Sequence, residues 1–456
     1  MAHPVVEHIS QRYLDRTPGS RHSDEQAKRY LPGGDTRFST YYFPYPTYMA
    51  RGDGYRLYDI DGNEYLDFVN NYTTLIHGHA YPPVVEIIRE QAPEGLVFSS
   101  AATIQAELAQ VLCERVPCYD LVRFTNSGTE ATMMAMRAAR AFTGKDVILK
   151  IDGGYHGTHD FAEVNQMPDL HSNGLPQPHV EGAGIPACVL DGIMVMPYND
   201  LDATETILSQ HAGKIAAIIV EPILGAGGGI TPKPGYLQGL RDLADRFGVL
   251  LIFDEIISFR FSLGGFQAIE GVMPDLTTLG KIIGGGFAIG AFGGKREIMA
   301  RFDPAHPQVI RHAGTFNGHN LTMAAGLATL QGYDQAAVDH INHLGERLKA
   351  GFNQAFQEMG IVGQAVGFGS VLILHWTGQP LSNSREWVTS AIAAKELPKL
   401  LLLEMLNQGV FSVSRGMFAL STPMTEAVID RAVEAFARTL ATVKPYVADV
   451  TPHLLM

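Results

Sequence analysis

The stretch VLLIFDEIISFRFSLGGFQAIEGVMPDLTTLGKIIGGGFAIGAFGG, Val249 to Gly294, decides how this chain is read. It opens on a short apolar run, Val249 to Phe253, of the kind that forms a strand buried on both faces. Two carboxylates, Asp254 and Glu255, end that run. A second β-rich run, Leu276 to Leu279, leads into Gly280-Lys281 and the glycines 284 to 286. In parallel α/β sheets the crevice beyond the C-terminal strand ends holds the ligand, so the pattern predicts an acid and a lysine meeting there. A lysine hemmed by apolar residues sheds its proton and becomes a nucleophile or Schiff-base partner. A single Lys or Asp is more often a solvated residue or a strand-end cap. Here both adjoin apolar or glycine-rich runs, and further motifs accompany them.

Outward from this stretch, strands and helices alternate. Strands are predicted at Leu121 to Phe124, Val147 to Ile151, Ile193 to Met196, Ala216 to Val220 and Ala288 to Phe292, with helices at Glu130 to Phe142, Leu237 to Phe247 and Leu321 to Asp334. Repeated βα alternation predicts an α/β fold with a mostly parallel, covered sheet. The Gly- and Pro-containing segment from Pro168 to Leu190 reads as a long loop. Two β-rich runs, Tyr55 to Asp59 and Tyr65 to Val69, flank Asp61-Gly62-Asn63 and read as a hairpin. Ahead of them, Ser23 to Tyr30 reads as a helix, and the Pro- and aromatic-rich stretch after Asp35 excludes a long one. Beyond residue 335 follow a long helix, a strand at Ser370 to His375, a Leu-rich helix at Leu397 to Asn407, a strand-like run at Val410 to Leu420 and a last helix to about Val443. The expected organisation is a large domain over 80–334 and a smaller α+β domain built from 1–79 and 335–456.

Composition narrows the function. At 456 residues the chain is long enough for a large and a small domain. A formal net charge of −13 gives no electrostatic support to nucleic-acid or anionic-membrane binding. Its three cysteines, Cys113, Cys118 and Cys188, form neither a CxxC nor a zinc spacing, so no metal site is expected and reduced thiols in the cytoplasm are. The N-terminus lacks signal-peptide features, and no apolar run reaches membrane-spanning length. There is no G-x-S-x-G elbow and no Walker A lysine, and Gly225 to Ile230 lacks the last glycine of a dinucleotide fingerprint.

Four further motifs carry chemistry. Thr125-Asn126-Ser127-Gly128-Thr129-Glu130 follows a strand and opens a helix, where backbone N–H groups and hydroxyls meet an anion, or where Ser127 merely caps. Tyr155, in Gly153-Gly154-Tyr155-His156-Gly157, sits in a turn open enough to lay its ring on another ring. Glu221 ends the strand before Pro222. Thr315 lies in Gly314-Thr315-Phe316-Asn317-Gly318.

Lys281 stands 27 positions after Asp254, and together with these motifs the chain resembles the fold-type I, class III pyridoxal-phosphate aminotransferases. The resemblance implies pyridoxal 5′-phosphate as cofactor, Lys281 as its Schiff-base lysine, and Asp254 as partner of the ring nitrogen, whose protonation makes the ring withdraw electrons. Ile256 and Tyr155 correspond to the residues against the two ring faces, and Glu221 to the acid near the phenolic oxygen. Ser127, Gly128 and Thr129 correspond to the phosphate cup, and Thr315 to the residue that reaches the neighbouring subunit's phosphate, which implies a homodimer with shared sites. Gly54, Leu57, Asp59, Asp61, Gly62, Tyr65 and Asp67 match the family's N-terminal pattern.

Two arginines bear on substrate, because a guanidinium grips a carboxylate in bidentate fashion. Arg37 in Pro32-Gly33-Gly34-Asp35-Thr36-Arg37 and Arg415 in Ser414-Arg415-Gly416 resemble the carboxylate-binding arginines of the β-phenylalanine aminotransferases. Tyr41, Tyr42 and Phe43 are candidates for an apolar pocket. The resemblance implies amino transfer from a β-amino acid or arylalkyl amine to a small α-keto acid. Glutamate-1-semialdehyde 2,1-aminomutase is the alternative, its V-N-S-P-V-R run being replaced here by D-T-R-F-S-T-Y-Y. A non-catalytic cofactor-binding regulator would need neither Lys281 nor both arginines.

Overall fold

A computed structural model describes residues 3–172 and 174–456, so Asn173 of the expected long loop lies outside the described residues. Two compact units emerge. The larger comprises Pro82–Asp339 and Leu381–Thr389; the smaller comprises the chain up to Tyr81, His340–Pro380 and Ser390–Met456.

The larger unit is organised by a seven-stranded sheet. In spatial order its strands are Leu121–Thr125, Gly290–Gly294, Leu276–Gly280, Leu250–Asp254, Ile215–Val220, Val147–Ile151 and Ile193–Met196. Gly290–Gly294 runs antiparallel to both its neighbours; the other pairings are parallel. Every residue of Ile215–Val220 is buried, as is every residue of Val147–Ile151 and Leu276–Gly280. Both faces of the sheet are therefore covered, and each such Ile, Leu or Val contributes about 1.5–3 kcal/mol of burial. Helix Gly128–Thr143 turns Ala131, Met134, Ala135, Ala138 and Ala139 inward and ends at Gly144, whose φ of 69° suits the left-handed stop.

The strand expected at Ala288 to Phe292 instead occupies Gly290–Gly294. Its glycines are steric requirements: a Cβ on Gly290 would lie 2.1 Å from the Ser127 carbonyl oxygen, and one on Gly293 2.5 Å from that of Leu121. The segment Leu381–Thr389, expected with the smaller domain, belongs to the larger unit because its polar groups bond there. Ser384 Oγ donates to Gly227 O at 3.1 Å, and Arg385 Nη1 donates to Ser172 O at 3.1 Å.

The smaller unit holds the antiparallel strands Met49–Asp53, Arg56–Asp59 and Glu64–Asp67, joined in parallel by Val410–Phe411. A second sheet pairs Gln364–Phe368, Val371–His375 and Met417–Ala419. The strand-like run expected at Val410 to Leu420 is thus two short strands in two sheets. The N-terminal helix expected at Ser23 to Tyr30 spans Pro18–Ala27, behind a further helix, Pro4–Arg16. The last helix runs Glu426–Val450, past the expected stop near Val443 and through Pro445, because Val443, Tyr446 and Val447 still bury their side chains.

One turn of this unit is conformationally costly. Asn70, Asn71, Tyr72 and Thr73 have φ of 49°, 49°, 55° and 73°, a left-handed turn built without glycine. Each left-handed non-glycine residue costs roughly 1–2 kcal/mol, less for Asn. Buried Asp67 offsets part of that cost: its Oδ1 accepts from Val69 N at 2.8 Å and Asn70 N at 3.0 Å. Asn70 Nδ2 donates to Ala419 O at 2.7 Å.

Among the described residues no helix is long and apolar enough to cross a membrane, and no His, Cys, Asp and Glu cluster suits a metal ion. All three cysteines are free.

The strand Leu276–Gly280 is anchored at its start by Asp275, which is buried and accepts from Leu251 N at 2.7 Å, Arg241 Nη1 at 2.8 Å and Lys295 Nζ at 2.5 Å. Burial alone would raise this carboxyl, but Lys295 and Arg241 hold it below the ordinary Asp range. Asp275→Ala leaves Arg241 Nη1, Lys295 Nζ and the buried Leu251 N–H without their shared acceptor and is expected to destabilise the larger unit by about 3 kcal/mol in urea unfolding. The wild type loses this contribution as pH falls through the depressed carboxyl pKa; the variant has none to lose.

Candidate functional site

Five parallel strands deliver side chains to one rim of the sheet. Leu250–Asp254 ends on Asp254, Ile215–Val220 is followed by Glu221, and Leu276–Gly280 by Lys281. Val147–Ile151 leads to the Gly153–Gly157 turn, and Leu121–Thr125 to the helix start at Ser127. The register places Val220 beside Phe253 and Asp254 beside Thr278, so Glu221, Asp254 and the approach to Lys281 lie abreast. The sheet thus gathers residues that are far apart in sequence.

Asp254 is buried, and its carboxylate is held from three directions. Oδ2 is 2.7 Å from His156 Nδ1, and Oδ1 accepts from Thr278 Oγ1 at 3.0 Å and Ile256 N at 3.2 Å. Burial depresses the His156 imidazole, opposed by Asp254, so the neutral ring donates from Nδ1 to the acid. Its Nε2 is buried without a hydrogen-bond partner. Sequence reading missed both His156 and Thr278. His156 adjoins Tyr155, but its acid lies 98 positions away. Thr278 left only the trace of hydroxyls within an apolar strand.

Glu221 is buried with Oε1 accepting from Tyr155 N at 2.9 Å and Oε2 from Gly225 N at 3.0 Å. Burial, reinforced by Asp254, pushes its carboxyl up to about 8. Lys281 has the opposite shift: desolvation pulls its ammonium down to about 8, against the pull of Asp254 and Glu221. Its backbone φ is 52°, a strained position for a residue with a Cβ, of the kind concentrated at functional sites. Glu255, the second acid of the pair, serves the core: its oxygens accept from Ser258 Oγ and from the backbones of Phe266 and Gln267.

The expected cup is the start of the 16-residue helix. Ser127 Oγ accepts from Glu130 N at 3.2 Å, while Glu130 Oε2 accepts from Asn126 N at 2.8 Å, a reciprocal cap. Thr129 Oγ1 accepts from Thr158 N at 3.3 Å, and a Cβ on Gly157 would lie 2.5 Å from that same oxygen. The cup and the Tyr155 turn therefore adjoin. Ile256 completes the wall: a Cβ on Gly128 would lie 2.6 Å from its Cδ1, and one on Gly280 3.7 Å from its Cγ1. Tyr155 is 39% exposed. Thr315 is exposed, and its turn is tied to the cup by Asn126 Nδ2 donating to Asn317 Oδ1 at 2.9 Å. One rim thus carries a desolvated amine, a fixed carboxylate, an anion-binding helix start and flanking rings or apolar chains. That set can hold a phosphorylated aromatic carbonyl compound and move a proton at the Lys281 nitrogen.

The remaining candidates belong to the smaller unit. Arg37 and Arg415 are exposed, Arg415 in a turn closed by Gly416 N donating to Val413 O at 2.8 Å. Tyr41 and Phe43 are also exposed. Tyr42 is engaged internally, its hydroxyl accepting from Thr47 N at 2.7 Å and lying 3.4 Å from the Tyr13 hydroxyl.

Comparison with known proteins gives a consistent picture. The family model described as class-III aminotransferase matches residues 39–440. A glutamate-1-semialdehyde 2,1-aminomutase of Brevibacillus brevis is 39% identical over 90% of this chain and 95% of its own. The β-phenylalanine transaminase of Variovorax paradoxus is 37% identical over 93% of each chain. Among solved structures, an ω-transaminase from Sphaerobacter thermophilus matches with a TM-score of 0.91 and 43% identity, over 94% of this chain and 99% of its own.

The lowered Lys281 amine is directly measurable. In cofactor-free protein its condensation with a small aromatic aldehyde, taken as wild type minus Lys281→Ala, is expected to rise with pH to a midpoint of about 8 rather than near the ordinary lysine value. Asp254→Asn removes a group that favours the ammonium, so it moves that midpoint lower.

Proposed function

The chain belongs to the class-III aminotransferases, whose cofactor is pyridoxal 5′-phosphate, and from that premise we propose that it moves an amino group from a β-amino acid or arylalkyl amine to a small α-keto acid. The observation that carries the assignment of the reacting centre is the desolvated Lys281 amine abreast of an Asp254 carboxylate fixed by His156, Thr278 and Ile256. The donor set fits the cofactor: an amine for its aldehyde, an acid for its ring nitrogen, a helix start for its phosphate, and Tyr155 and Ile256 for the faces of its ring. When bound, the cofactor supplies an electron-withdrawing ring that stabilises charge left on the substrate carbon.

The protein's own groups do the rest. Lys281 Nζ, unprotonated above about pH 8, takes the proton from the substrate carbon and returns it. Asp254, oriented by His156, would keep the ring nitrogen of the cofactor protonated. Glu221, carrying its own proton below about pH 8, would stand by the phenolic oxygen. Ser127, Gly128 and Thr129 would bind the cofactor's phosphate, joined by the partner subunit's Thr315. This reading makes the enzyme a homodimer with shared sites, and exposed Phe38 and Phe316 each supply apolar surface for such an interface. Sedimentation is expected to give a dimer, and Thr315→Ala to release cofactor faster on dialysis.

Arg37 and Arg415 divide the carboxylates in this reading. Arg37 takes that of the β-amino acid and Arg415 that of the α-keto acid. Tyr41 and Phe43 line the path of the aryl group, while Tyr42 is held internally by Thr47 and Tyr13. A second reading, glutamate-1-semialdehyde aminomutase, has support from similarly identical relatives of that name. The donor panel β-phenylalanine, 1-phenylethylamine and glutamate-1-semialdehyde separates the two. Arg37→Ala is expected to raise the KM for β-phenylalanine roughly tenfold or more while sparing 1-phenylethylamine. Arg415→Ala should do the same to the keto acid. Efficient isomerisation of the semialdehyde with neither amine reacting establishes the aminomutase instead.

A further inference from the structure

We propose that Asn71 is a specificity-determining positioning residue: its side-chain oxygen holds the Arg37 guanidinium ready for a substrate carboxylate. This rests on the reading of Arg37 as the carboxylate anchor of the β-amino acid.

An arginine on an exposed loop samples many rotamers, and ordering it on binding weakens the complex. Arg37 has a fixed partner: its Nη1 donates to Asn71 Oδ1 at 2.8 Å. That partner is itself immobile in its backbone. Asn71 is the second residue of the left-handed turn Asn70–Thr73, whose start is bolted to the core through Asp67 and Ala419. Asp67 is in turn 2.7 Å from His79 Nε2. The turn also grips the arginine's loop through Tyr72, whose hydroxyl donates to Ser39 O at 2.5 Å and whose ring centroid lies 6.0 Å from the guanidinium carbon.

The chemistry of the partner matters as much as its place. A guanidinium has five N–H donors in a planar fork. An amide oxygen occupies one of them without itself neutralising the charge, so a further edge of the fork remains for a carboxylate. Asp35, the acid of the same loop, is directed elsewhere: Oδ1 accepts from Thr36 N and Arg37 N, and Oδ2 from Thr40 Oγ1. A carboxylate at position 71 would form the ion pair that the substrate is meant to form. Four consecutive left-handed residues give no evident gain in packing for Asn71, whose side chain is exposed. The turn buries Asn70 and Thr73 at its two ends and leaves the Asn71 amide facing Arg37.

The test compares Asn71→Gly, Asn71→Asp and Arg37→Ala holoenzymes in steady state with β-phenylalanine and 1-phenylethylamine as donors. Glycine accepts a φ of 49° without strain, so Asn71→Gly keeps the turn and removes only the amide. It is expected to raise the KM for β-phenylalanine about three- to tenfold, with kcat and both constants for 1-phenylethylamine nearly unchanged. Asn71→Asp should raise that KM roughly tenfold or more, again sparing the neutral amine. A KM for β-phenylalanine unaltered in both Asn71 variants, while Arg37→Ala raises it, overturns the role of Asn71 alone. An equal loss with both donors makes Asn71 merely structural and also overturns it. If Arg37→Ala fails to discriminate between donors, the carboxylate-anchor reading falls first and this inference with it.

Discussion

A half-buried, desolvated amine and two buried carboxylates at neighbouring strand ends set the terms for the larger unit. Glu221 and Lys281 shift in opposite directions to about 8, because burial disfavours the charged form of each. The consequence for stability follows from proton binding. Glu221 holds a proton in the folded state that an unfolded carboxyl has lost, so its contribution is full below the ordinary carboxyl range and falls away as pH rises to about 8. Lys281 lacks a proton that an unfolded lysine keeps, so its contribution is full above the ordinary lysine range and falls away as pH drops to about 8. The cofactor-free fold is therefore least favoured, as far as these two groups decide it, near pH 8.

Such a pocket persists only because the sheet around it is over-determined. Asp254 has three donors, Glu221 two, and the strand that ends in Lys281 is tied at its other end through Asp275 to Arg241 and Lys295. The glycine-rich strand Gly290–Gly294 lets Ser127 approach close enough to place the helix start at the same rim. Strain at Lys281, with its φ of 52°, is borne by that framework rather than relieved locally.

What could be read from the sequence follows from this. Strand ends, the acid–lysine spacing and the helix cap leave local signatures, and the alternation of buried strands with helices is strongly periodic. The two-residue displacement of the Gly290–Gly294 strand arose because glycine is a poor strand former unless a neighbouring backbone demands it, and that demand is a property of the assembled sheet. His156 had no visible role because its partner is brought beside it only by the parallel register. The left-handed turn at Asn70–Thr73 was equally hidden: Asn-Asn-Tyr-Thr carries no glycine to announce positive φ, and the Asp67 and Ala419 contacts that sustain it are tertiary.

The two units also differ in how change affects them. In the larger one, chemistry is fixed by buried groups whose replacement leaves an uncompensated charge or polar atom, so the reacting centre resists substitution. In the smaller one, the candidates for substrate recognition are exposed side chains, Arg37 and Arg415 among them, on short loops steadied from beneath. An exposed side chain can be exchanged at small cost in stability. One set of strand ends serves any reaction that moves an amino group through a desolvated lysine. On the proposed reading, which carboxylate is admitted rests with a few loop residues and with the neutral or charged partner that each arginine is given.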